Sequence, residues 1–255
     1  MPFQKIETEK LSRTVVHQIE LLILRGILRP GERLPSEREL SDRLGVSRPS
    51  LREAVADLQN RGLLTSRPNA GIFVADVLGS AFAPGLVDLF SSHEEAVFDY
   101  VSFRRDMEGL AAERAARLGS DTDLKVIDTI FAKMEAAHQK RDPAHEAELD
   151  ANFHMAIIDA SHNVVMLHMM RSMYDLLRQG VFYNRQVMFK NRLTREHLLD
   201  QHRAINAGIQ SRKPLAARMA VEAHMNFVEQ SMADQIKAAH NETVALQRLH
   251  HEAER

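Results

Sequence analysis

The chain has 255 residues, 44% hydrophobic and 27% charged, which suits a soluble globular protein with room for two domains, each with its own core. It contains no cysteine, which excludes disulfides and thiolate metal sites. The net charge of −2 is unevenly spread: residues 1–77 carry 12 basic and 10 acidic side chains and the remainder 21 and 25, so a nucleic-acid surface would have to be a local basic stripe near the front.

The first residues, MPFQKIETEK, lack the apolar core of a secretion signal, and no run approaches the length of a bilayer span, so a cytoplasmic protein without a membrane partner is expected. From Leu11 to Arg25 the apolar residues Val15, Ile19, Leu22 and Ile23 recur at helical spacing, and Gly26 ends the pattern before the turn Arg29-Pro30-Gly31. A second helix is predicted from Ser36 to about Leu44, opened by the capping-box pattern Ser36-x-x-Glu39 and stopped by Gly45. A third runs from Ser47, with Pro49 tolerated in its first turn, to near Gly62. Strand signals follow at 63–67 and 71–74, flanking the turn residues Pro68-Asn69-Ala70. Two short helices joined by a glycine-containing turn and followed by a hairpin make a winged helix-turn-helix over 1–77.

Residues 78–92, with Gly79, Pro84, Gly85 and Ser91-Ser92, read as a linker with a short helical piece. Helical segments are then predicted at roughly 94–118, 121–140, 143–160, 163–189, 193–210 and 214–238. Connections this short favour antiparallel neighbours, so 93–238 is expected to be an antiparallel helical bundle, and 239–255 a polar tail that frays. The expected fold class is mainly α: a winged helix-turn-helix with a small β-hairpin wing, then an all-α bundle.

In the third helix Leu51, Val55 and Leu58 form an inward stripe, and Arg48 and Arg52, four apart, lie side by side on its flank. The N-terminal turns of such a helix face base edges in the major groove, where arginine grips guanine in a bidentate way. Arg38 on the preceding helix is placed to reach a phosphate or groove edge. A surface arginine pair is by itself common; the helix-turn-helix context assigns it to DNA. Farther on, Asp150 and His154 share one helix face, His202 lies on a later helix and His224 on the last long one. Three imidazoles and a carboxylate from three helices are able to surround a divalent ion, and hydrogen-bonded core histidines are the alternative reading of the same spacing.

The run Leu28 to Leu40 (LRPGERLPSEREL), followed by Gly45 to Ala54 (GVSRPSLREA), resembles the signature of GntR-family regulators. The resemblance implies a homodimer that contacts double-stranded operator DNA through Arg38, Ser47, Arg48, Ser50, Arg52 and the wing glycine Gly71. The wing departs from the family pattern, which commonly carries several glycines where this chain reads Arg67-Pro68-Asn69-Ala70-Gly71. Residues 94–235 resemble the helical ligand-binding (FCD) domain of the FadR subfamily, on Arg104-x-x-Met107-Glu108, Asp150-x-x-x-His154, Gln201-His202-Arg203-Ala204-Ile205 and Ala223-His224-Met225. In metal-binding members an Asp and three His hold a divalent ion whose coordination a carboxylate effector completes. Here that implies Asp150, His154, His202 and His224, with zinc suiting the ligands and nickel or manganese able to occupy them. Arg104 matches an arginine that forks onto the effector carboxylate, and Arg185 and Asn206 are candidate further contacts. The stretch 160–168 and the segment 81–92 place the chain near the branch of the pyruvate-dehydrogenase-complex and L-lactate-operon regulators. That implies a regulator controlled by a small 2-hydroxy or 2-oxo acid such as lactate or pyruvate, with repression relieved by the acid the commoner family mode and activation the alternative. A metal-dependent hydrolase and a constitutive DNA binder with a structural metal are the rival functions.

Overall fold

In the computed structural model, residues 11–68, 70–76, 83–140, 142–178, 188, 192–253 and 255 are described. The chain divides into two compact units, residues 1–81 and 82–255.

The first unit is built from helices α1 (Leu11–Leu24), α2 (Glu37–Leu44) and α3 (Arg48–Asn60) and an antiparallel hairpin of β1 (Leu64–Arg67) and β2 (Gly71–Val74). Val15, Ile19 and Ile23 of α1 meet Leu51, Val55 and Leu58 of α3, and Leu64 and Val74 close the same core from the hairpin. The 3.6-residue spacing of these apolar positions is what directs each helix inward. Residues 31–34 add a short edge beyond the expected strands: Gly31 N–H donates to the Val74 carbonyl at 2.9 Å and Leu34 N–H to that of Ile72 at 2.9 Å. The capping box at Ser36 forms only in part. The Ser36 hydroxyl accepts from the Glu39 N–H at 3.3 Å, whereas the Glu39 carboxylate accepts from Arg43, one turn on, at 2.6 Å.

Among its described residues the second unit consists of helices and the short turns that join them. Short α4 (Pro84–Ser92) leads into α5 (Glu94–Leu118), α6 (Asp121–His138), α7 (Pro143–Ala160), α8 (Val164–Arg178), α9 (Arg192–Gln210) and α10 (Pro214–Ala253). α10 packs along α5 and α9, and α6 packs against α7 and α9, leaving α7 buried in the middle. Gly208 lets α9 and α10 cross closely, since a Cβ there would stand 2.9 Å from the Ala217 backbone. The last helix extends past the expected fraying point to Ala253. Residues 239–253 contain neither glycine nor proline and are rich in Ala, Leu, Gln, Glu and Arg, all good helix formers. No helix of the described residues is long and apolar enough to cross a membrane.

Candidate metal centre and nucleic-acid interface

α7 is the element around which the metal-competent residues assemble. It is capped by Asp142, whose carboxylate accepts the N–H groups of Ala144 and His145 at 3.1 and 3.2 Å, with Pro143 in the first turn. Its interior turns are buried on nearly every side, so Asp150 and His154, one turn apart, project into protein rather than water. His202 reaches in from α9 and His224 from α10, and all four side chains are buried.

Their donor atoms converge. One ligand atom from each of the four lies within 4.8 Å of the others. His202 Nε2 stands 2.9 Å from Asp150 Oδ1 and 3.2 Å from His154 Nε2, and His154 Nε2 stands 3.8 Å from Asp150 Oδ1. Bonds of about 2.1 Å to a shared ion put neighbouring ligand atoms roughly 3.0–3.4 Å apart, so these separations fit a common centre. The far ring nitrogens carry the same message. His202 Nδ1 faces the Leu198 carbonyl at 2.6 Å, His224 Nδ1 faces Gln201 Oε1 at 3.0 Å, and His154 Nδ1 faces Glu108 Oε2 at 2.7 Å. The hydrogen-bond acceptors at Nδ1 of His202 and His224, and the Glu108 carboxylate in ion-pair contact with Nδ1 of His154, favour the hydrogen on that nitrogen and leave the Nε2 lone pair for the centre, which is the tautomer a metal ligand needs.

Arg104 does not open onto this cluster. Its guanidinium is buried and forks onto Glu108, with Nε to Oε1 at 2.6 Å and Nη2 to Oε2 at 3.3 Å, and Nη2 also donates to the Tyr174 hydroxyl at 2.7 Å. The fork expected for an effector carboxylate is thus occupied by one of the protein's own. Burial alone would raise the Glu108 carboxyl; the Arg104 guanidinium and the His154 ring outweigh it and hold the group well below the usual carboxylate range. Burial pushes the Tyr174 phenol up, so it remains neutral and its hydroxyl donates a hydrogen bond to Glu108 Oε1 at 2.8 Å.

Asn206 is likewise committed. Its amide donates to Asp128 at 3.1 Å and accepts from Gln210 at 3.1 Å, clasping α9 to α6. Arg185 lies outside the described residues. Glu108, Tyr174 and Gln201 were not singled out as site residues from the sequence. The available signal was that Arg104 and Glu108 fall on the same stripe as Val101, Ala111, Ala112 and Ala115, all buried, so the pair belongs to the inward face of α5.

In the first unit Ser47 caps α3, its hydroxyl accepting from the Ser50 N–H at 3.3 Å and lying 2.9 Å from the Ser50 hydroxyl. Arg48, in the first turn beyond that cap, is exposed, as is Arg38 on α2. Arg52 is held: its Nε donates to Glu37 Oε2 at 2.8 Å, tying α3 to α2. Gly71 has φ +104°, where other residues are strained, and a Cβ there would come within 3.2 Å of Arg33 Nε. Its first role is therefore to let the wing turn back into β2.

The family described as bacterial regulatory proteins, gntR family, matches residues 11–74, and the FCD domain matches residues 99–227. The chain is 34% identical over 252 residues to the "Putative L-lactate dehydrogenase operon regulatory protein" of Escherichia coli K12, covering 96% of each chain. It is 32% identical over 233 residues to the Glc operon transcriptional activator of the same organism, covering 90% of this chain and 92% of that one. Among solved structures, a Streptococcus agalactiae GntR protein shares the fold with a TM-score of 0.52 at 24% identity, over 86% of this chain and 99% of that one. The chain belongs to the GntR family of bacterial regulators, a DNA-binding transcriptional regulator with an FCD effector domain and not an enzyme.

Proposed function

We propose that this chain is a homodimeric repressor whose affinity for operator DNA is set by a small 2-hydroxy or 2-oxo monocarboxylate, bound in the helical unit at a divalent ion. The observation that carries this reading is the convergence of Asp150, His154, His202 and His224 inside the bundle, with each Nδ1 engaged on an outward acceptor. A zinc-class ion would be held by these four side chains and would supply Lewis-acid positions for the oxygens of the acid. Lactate and pyruvate are the acids to begin with, and the name of the L-lactate dehydrogenase operon relative supports that choice. Arg104 acts on the site through Glu108 rather than by gripping the effector.

Toward DNA, Arg48 reads base edges from the first turn of the recognition helix, joined by Arg52 once it leaves Glu37. Ser47 and Ser50 present the helix N-terminus to a phosphate, Arg38 meets the backbone, and the tight turn at Gly71 brings the wing close. Two chains place two such helices in neighbouring half-sites of a pseudo-palindrome.

The test is a thermal-shift series on the purified chain, chelated or reloaded with zinc, against lactate, pyruvate and glycolate. An acid at about 100 times its Kd is expected to stabilise the loaded protein by about 2.7 kcal/mol and to do nothing after chelation. Metal analysis finding no bound ion, or acids that leave the melting temperature and operator binding unchanged, overturns the reading.

A further inference from the structure

We infer that Glu108 is a positioning residue for the metal centre: held by Arg104 and Tyr174, it fixes the tautomer and ring orientation of His154 and thereby sets how tightly the ion is bound. This rests on the metal reading given above.

Among the described residues, the acceptor behind His154 is the carboxylate of Glu108, whereas His202 faces the Leu198 backbone carbonyl and His224 the Gln201 side-chain amide oxygen. A carboxylate behind an imidazole makes the ring a better electron donor to a cation on its far side, and it draws the ring hydrogen onto the near nitrogen. Glu108 is itself fixed from two further directions. Arg104 sits one turn earlier on α5 and forks onto both oxygens, while the Tyr174 hydroxyl on α8 donates to Oε1. All four side chains in this chain of contacts are nearly inaccessible to solvent. A buried carboxylate with one partner would be costly to keep charged; a guanidinium, a phenol and an imidazole together satisfy it. The result is a chain of polar contacts, hydrogen bonds from Arg104 and Tyr174 to Glu108 and an ion-pair contact of 2.7 Å from Glu108 to His154 Nδ1, that points one Nε2 at the centre and ties α5, α7 and α8 to whatever that nitrogen holds.

An ordinary core ion pair would contribute to folding and leave metal affinity alone. The two are separated by titrating zinc into the apo full-length protein against a competing chelator, for wild type and Glu108→Gln, with the melting temperature of each apo protein recorded alongside. Glu108→Gln keeps the side-chain shape and removes the charge, and its zinc Kd is expected to rise about 10–100-fold. An unchanged Kd in a variant that folds overturns the inference and leaves the metal reading standing. A wild-type protein that binds no zinc overturns both. Because Glu108→Gln leaves Arg104 buried opposite a neutral group, the double variant Arg104→Gln/Glu108→Gln is the substitute where the single one does not fold, with the same loss expected. The second readout is independent of folding in any variant. Imidazole nitrogen NMR of the wild-type apo protein is expected to find the His154 hydrogen on Nδ1, and finding it on Nε2 overturns the assignment.

Discussion

Arg48 and Arg52 are adjacent on one face of the recognition helix, yet the fold gives them different starting positions. Arg52 enters any encounter with DNA already bonded to Glu37, so a contact it makes is offset by the bond it gives up. Arg48 is exposed one residue past the Ser47 cap. Arg48→Ala is therefore expected to cost about 1–3 kcal/mol of operator affinity while leaving nonspecific binding far less affected, because a base contact is lost rather than a phosphate contact alone. Fluorescence anisotropy on operator and scrambled duplexes checks this, and equal losses on both would assign Arg48 to the backbone instead. The exposure of Arg38 and Arg48 was legible in the sequence because the helix-turn-helix spacing fixes which turn faces outward. The fate of Arg104 was not. The apolar stripe of α5 places Arg104 and Glu108 on its inward face, but only the packing of α5 against α7 and α8 shows that they meet each other and a buried histidine rather than a ligand.

Helix ends show the same limits one scale up. The Ser36-x-x-Glu39 pattern was clear in the sequence, but Glu39 turns to Arg43 and half of the box is lost. At the start of α6 the complete version forms without a glutamate. Ser120 accepts the Asp123 N–H at 3.1 Å, and the Asp123 carboxylate takes the Ser120 N–H at 2.8 Å and its hydroxyl at 2.6 Å. Burial opposes charge on Asp123, but the Ser120 hydroxyl and N–H, with the His162 ring 3.0 Å away, prevail and hold the carboxyl below its ordinary value. Since the folded value is the lower one, the cap's contribution is present above the unfolded aspartate value of about 3.9 and is lost as the pH falls through the folded one. Asp123→Ala is expected to destabilise the chain by about 1 kcal/mol at pH 7, and by less at an acid pH below the ordinary aspartate value, where the difference from wild type shrinks as the cap is protonated. Urea titrations at the two pH values check it; a difference independent of pH would make the loss one of packing rather than of the charged cap. The helix order of the bundle was readable because Gly119, Asp142-Pro143 and Lys213-Pro214 punctuate it, whereas the end of α10 was not, since polar residues with high helix propensity carry no apolar stripe to mark them.

For the molecule as a whole, the decisive quantity is the free energy that links the two ligands. If operator and carboxylate act on one equilibrium, the factor by which saturating acid changes operator Kd must equal the factor by which saturating operator changes acid Kd. About 1–3 kcal/mol of coupling corresponds to roughly 5–150-fold in each direction. His202→Ala removes a centre ligand on α9 and is expected to abolish both shifts while leaving operator affinity without acid close to that of wild type. Arg48→Ala is expected to weaken operator binding and leave acid affinity untouched, because that residue lies in the other folding unit. The two variants thus fail in opposite columns of the same table of Kd values. Measured by anisotropy for DNA and calorimetry for the acid, equal reciprocal factors in wild type that vanish in His202→Ala establish the centre as the sensor. An acid that binds the loaded protein with no reciprocal effect on DNA would instead make the ion a structural clamp for α7, α9 and α10, and the winged helix a constitutive binder.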